Sequence, residues 1–181
     1  RYRILHTVFV SVIASIVPGD WGIVVGAAVL SIVSLVIWLA LVWQLFRRTF
    51  RSEQTALMAM LVFGLALMVV FVPMALGGVD LPYSWTEGAI FAGALLLLLG
   101  WSARPHPWLF AALIVIGTLN RETAAILVVW FWFVVALPSQ DWRQWARAAG
   151  YGCLWLVLFV GLRVFIPPSS WELYTRDHLW S

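Results

Sequence analysis

The chain has 181 residues, 64% of them hydrophobic and 10% charged, with a mean hydropathy of +0.97. Soluble domains carry about 25% charged residues, so this composition argues against a water-soluble globule and for an all-α, polytopic integral membrane protein. The net charge is +3, every basic residue is Arg, and no dense basic run suits a nucleic-acid partner.

A bilayer crossing needs about 20 apolar residues. Ile4–Val17 falls short and is stopped by Pro18-Gly19-Asp20, so residues 1–20 read as an interfacial or re-entrant helix. Gly22–Phe46 is a full span followed by Arg47-Arg48-Thr49-Phe50-Arg51, and Thr55–Leu76 is a second, with Pro73 near its end. The turn-rich loop Gly77–Tyr83 leads to a third span, Trp85–Trp101. Residues 104–107 then open a long apolar stretch, Trp108 to Leu137, interrupted by Asn120-Arg121-Glu122-Thr123. A loop holding Asp141, Arg143 and Arg147 precedes the last span, Ala148–Ile166, and residues 167–181 form a polar, aromatic tail.

Arginines orient these spans. Arg47, Arg48 and Arg51, then Arg104, then Arg143 and Arg147 fall in alternate loops, which the positive-inside rule assigns to the cytoplasm. The alternation requires Trp108–Leu119 and Ala124–Leu137 to be separate short passes, giving six passes in one transmembrane domain over 21–166. Asp80, Glu87 and the Asn120–Thr123 island then share the outer face, joined by Arg3 if the first helix lies there. Tryptophans at span ends, such as Trp21, Trp43 and Trp101, fit an aromatic belt. Trp130 and Trp132 lie inside a span and read as packing or lipid contacts. Small residues at Gly26, Ala27 and Ala28, and at Gly88, Ala92 and Gly93, permit close helix contacts.

The polar island is the first candidate site, because charge in hydrocarbon costs roughly 2.5–3.5 kcal/mol per group and persists where it is paired, hydrated or used. Asn120 reads as an N-cap, Thr123 as a first-turn acceptor, and Glu122 as a carboxylate at a favourable helix end. Arg121 is the residue this leaves over. It fits either an ion pair or a bound anion such as a lipid phosphate. Asp80 sits in a Gly-Gly-x-Asp-x-Pro turn, where Asp and Pro are ordinary turn formers. The single Cys153 and the scattered His6, His106 and His178 suggest no disulfide and no metal site, and no cofactor is expected.

Arg1-Tyr2-Arg3-Ile4-Leu5, Val79-Asp80-Leu81-Pro82 and Gly117-Thr118-Leu119-Asn120-Arg121-Glu122-Thr123-Ala124 resemble a group of bacterial GT-C-like membrane proteins. These are related in pattern to glycosyltransferases that use polyprenyl-phosphate-linked sugars. The resemblance implies a multi-pass protein of the bacterial inner membrane with membrane lipids, polyprenyl phosphate among them, as partners. It makes Arg121 similar to a donor-phosphate ligand, with Glu122 and Asp80 shaping the polar site. Such enzymes carry their catalytic aspartate in the first outer loop, which would lie before Arg1, so no catalytic residue is assigned. A second reading stays open: a non-catalytic integral membrane subunit, packed against partner subunits of a larger respiratory, photosynthetic or transport complex. A transporter is disfavoured, since no charge chain crosses the spans.

Overall fold

The computed structural model describes residues 4–17, 21–76 and 81–165, with the side chains of 4–7, 14, 68–76, 81–84 and 122 left aside. All regular structure among the described residues is helical. The chain packs as two compact units, one of His6–Pro105 and the other of His106 onward, with which Ile4 and Leu5 at the start of the first helix are grouped.

In the first unit, α1 (Ile4–Ile16), α2 (Trp21–Thr49), α3 (Glu53–Leu76) and α4 (Leu81–Leu99) follow one another. The interfacial segment foreseen at the N-terminus is thus helical, and α3 runs on past Pro73. The turn between α2 and α3 is set by local chemistry. Ser52 Oγ accepts the Thr55 N–H at 3.1 Å as an N-cap. Glu53 lies in the first turn of α3, and Arg47 and Arg48 lie in the last turn of α2. Each charge thus complements its helix dipole.

Helices α2 and α4 form the main interface of this unit. Ser34 Oγ and Thr86 Oγ1 are 2.9 Å apart, and Arg48 Nη1 donates to the Leu96 carbonyl at 3.3 Å. Trp38 lies against Gly88 between these two contacts. Partner numbers rise together along both helices, so α2 and α4 run parallel. Arg47, Arg48, Arg51 and the Gly100–Arg104 turn therefore meet at one end, the arrangement that the alternate-loop reading of the arginines requires. Glu87 lies towards the opposite end.

Gly26 and Gly88 act as the small residues that admit a neighbour. A methyl group built on Gly26 would lie 3.2 Å from the Val10 carbonyl oxygen of α1. The Ser34–Thr86 pair is expected to contribute about 0.6 kcal/mol, the average for hydrogen bonds between membrane helices. A double-mutant cycle of Ser34→Ala and Thr86→Ala, read by thermal unfolding in detergent, checks it.

In the second unit, α5 (Pro107–Asn120) starts with Pro at its first position, where a missing N–H costs nothing. A 3₁₀ turn (Glu122–Ala124), α6 (Ala125–Phe131), a π-helical turn (Trp132–Ala136) and α7 (Leu137–Ser139) follow. Gln140 ends α7 in the left-handed region, φ 51°. The Asp141 carboxylate then accepts the Arg143 N–H at 3.0 Å and caps α8 (Trp142–Phe165).

The core of this unit is an aromatic triad. Phe110 and Phe131 are 5.3 Å apart by ring centroid, and Tyr151 lies 5.2 Å from the first and 4.9 Å from the second. The Tyr151 hydroxyl donates to the Pro107 carbonyl at 3.0 Å. One continuous helix through 108–137 would hold residues 110 and 131 about 31 Å apart at 1.5 Å per residue. Their contact means that the chain doubles back at the polar island, as the two-segment reading expected. Trp132 packs edge-to-face on Trp145 at 4.6 Å, a packing role as foreseen.

Two long apolar helices have little protein around them. Among the described residues, α2 and α8 are long and apolar enough to cross a bilayer, and only 17% and 11% of their apolar stretches are buried. Hydroxyls on apolar helices bond to their own backbone, as Ser31 does to the Ala27 carbonyl and Thr118 to that of Ile114, both at 2.6 Å.

Candidate functional site

The polar island forms the turn of the second unit's helical hairpin, and its backbone differs from the sequence expectation. Asn120 does not cap a following helix. It is the last residue of α5 and is only 3% exposed. Thr118, two residues earlier on the same helix, is equally buried. Arg121 carries the extended residue between the helices, with φ −162° and ψ 149°. Its N–H donates to the Gly117 carbonyl at 2.7 Å and closes α5, while its own carbonyl accepts the Ala124 N–H at 3.3 Å and opens the 3₁₀ turn.

Arg121 thus takes the N-cap place assigned to Asn120. The physical reason is the apolar run: α5 gains backbone hydrogen bonds by extending to Asn120 before it breaks. This changes the electrostatic account of the arginine. Arg121 follows directly on the C-terminus of α5, where the helix dipole favours a cation by about 0.3–1 kcal/mol. A local structural role therefore accompanies any ligand role. Arg121 as a whole is half-buried. Glu122 begins the 3₁₀ turn as its acidic first residue, the place its sequence context indicated. Thr123 is exposed beside it.

The other predicted residues distribute as follows. Glu87 is half-buried on α4 in the first unit, next to Thr86, whose hydroxyl bonds to Ser34. Asp80 and Arg3 lie outside the described residues. The turn holds Asn120, Arg121 and Glu122 as consecutive residues, and Glu87 belongs to the other unit. Among the described residues, no group of three or more His, Cys, Asp and Glu comes together.

Sequence reasoning passed over one feature, an open apolar groove between α2 and α3 lined by Phe46, Phe50, Met58, Val62 and Phe63. The signal was present in the alternation of Phe46 and Phe50 with the arginines at 47, 48 and 51. Comparison with protein-family models, with curated proteins and with solved structures returns no match. The GT-C-like resemblance stays on the short motifs that carry it.

Proposed function

We propose that this chain is a multi-pass protein of the bacterial inner membrane, GT-C-like, which handles a polyprenyl-phosphate-linked sugar at the outer face. The observation that supports the membrane setting is that α2 and α8 each hold a stretch long and apolar enough to cross a bilayer, scarcely covered by protein. A helix needs about 20 apolar residues to span the hydrocarbon core. The short segments α5 and α6 end together at the Asn120–Thr123 turn, and as a pair they suit a hairpin with its polar tip at the membrane boundary.

In this reading, Arg121 contacts the lipid phosphate and stabilises the charge left on it as the sugar departs. Buried Asn120 and the first-turn Glu122 order the turn around it. No residue of this chain is assigned as the base that takes the acceptor's proton. The alternative, a non-catalytic membrane subunit, draws on the position of Arg121 at the C-terminus of α5, which accounts for the cation without a ligand.

Two substitutions separate these readings. Arg121→Ala is expected to weaken binding of undecaprenyl phosphate to the detergent-solubilised protein by tenfold or more, about 1.4 kcal/mol, with helix content retained. Arg121→Lys keeps the cation at the helix end and loses the bidentate fork, so it should restore stability more than binding. Equal phosphate-lipid binding by wild type and Arg121→Ala, with only the thermal midpoint lowered, would leave the structural role standing alone.

A further inference from the structure

The groove between α2 and α3 lies beside the most cationic turn of the first unit, and the two features together specify a ligand. Its volume is about 580 Å³, it is open along one side, and its lining is apolar apart from Thr55. The Thr55 hydroxyl is already paired with Ser52 Oγ at 2.7 Å. Phe46 packs edge-on against both Phe50 and Phe63, at 5.8 and 5.9 Å, which holds the walls in place. From Thr55 to Ala66 the groove follows α3 for about 16 Å at 1.5 Å per residue. That is close to one leaflet, half of the ~30 Å hydrocarbon core.

At the turn end stand Arg47, Arg48 and Arg51, all exposed, against a single nearby carboxylate, Glu53. Arg48 is directed to the Leu96 carbonyl, and Arg47 lies over the Trp43 ring at 5.9 Å. Arg47 and Arg51 directly follow Phe46 and Phe50, two residues of the groove's lining, and so bring positive charge next to it along the chain. Basic residues next to a cleft between membrane helices suit an anionic headgroup.

We propose that this groove binds an anionic glycerophospholipid of the phosphatidylglycerol class, with one acyl chain along α3 and its phosphate at Arg47 and Arg51. The site is separate from the Asn120–Thr123 turn and rests only on the membrane part of the functional reading. Its charge distinguishes it from general lipid contact, because a zwitterionic lipid offers the same chain without the net charge.

The test is native mass spectrometry of the full chain in detergent, titrated with phosphatidylglycerol or phosphatidylcholine of equal chain length. Wild type should retain one phosphatidylglycerol in preference to phosphatidylcholine. At about 1 kcal/mol for each arginine, Arg47→Gln/Arg51→Gln should lower that preference about 25-fold. Ala59→Trp, which fills the groove and spares the arginines, should abolish retention of both lipids at this site. Equal retention of the two lipids by wild type, or an unchanged preference in the double variant, overturns the proposal. So does a lipid-free dimer that Ala59→Trp dissociates, since it gives the groove to a second copy. Partition of the protein into the aqueous phase of Triton X-114 would overturn the membrane reading itself, whereas a detergent-phase protein without lipid preference overturns the groove alone.

Discussion

Phe131→Ala is expected to be the most destabilising single change in the second unit, at about 3 kcal/mol. Phe131 is fully buried and touches both other members of the aromatic triad. Phe→Ala changes in protein cores cost about 3–5 kcal/mol through lost transfer energy and the cavity left behind. In a bilayer the transfer part shrinks, because lipid is as apolar as the core, and packing carries the association. Two aromatic contacts at about 0.5–1.5 kcal/mol each, plus the cavity, still place the loss near the lower end of that range. Val157→Ala, on an exposed stretch of α8, should stay within about 0.5 kcal/mol. Thermal unfolding of both variants in the same detergent, followed by circular dichroism, checks the contrast. Equal midpoints would mean that the triad does not hold the hairpin on α8.

Gly88→Leu should be the corresponding change in the first unit. A Cβ on residue 88 would sit 2.7 Å from Trp38 Cε2 and 2.9 Å from its Nε1, closer than real contacts allow. The indole has little room to withdraw, with Phe63 at 5.5 Å and Trp85 at 5.2 Å from its ring. Overpacking of this kind costs typically about 1–3 kcal/mol, and a leucine adds three carbons beyond the Cβ. The strain falls between the Ser34–Thr86 and Arg48–Leu96 contacts, so both should lengthen. Unfolding in detergent reports the loss, and Gly88→Leu/Trp38→Ala should recover part of it. A Gly88→Leu protein as stable as wild type would show that α4 can shift along α2 at no cost.

Helix positions were largely legible in the sequence because each signal was local. Composition and uninterrupted apolar runs marked the helices, while Pro18-Gly19-Asp20 and the arginine-bearing loops marked the breaks between them. The small residues at 26 and 88 announced close approaches, and both are realised, against Val10 and Trp38. The polar island announced a break in the stretch from 108 to 137. Its position was one residue off: Asn120 stays in α5, and Arg121 takes the cap. That detail depends on how many backbone hydrogen bonds α5 can complete before the turn, which the residue types alone do not fix.

The candidate site was legible only as a turn. Nothing in the spacing of Asp80, Glu87 and Arg121 encodes a distance between them. The sequence by itself determined the helical class, the break at Asn120–Thr123 and the clustering of arginines at alternate loops, since each follows from residues near one another in the chain. Tertiary structure alone decided that Phe110, Phe131 and Tyr151 form one core, that Trp38 of α2 lies against Gly88 of α4, and that a groove opens between α2 and α3. The aromatic core and the α2–α4 packing rest on contacts between residues 20 to 50 positions apart. Where almost every residue is apolar, hydrophobicity cannot choose among partners, and shape makes the choice: a glycine opposite an indole, and rings that fit edge to face.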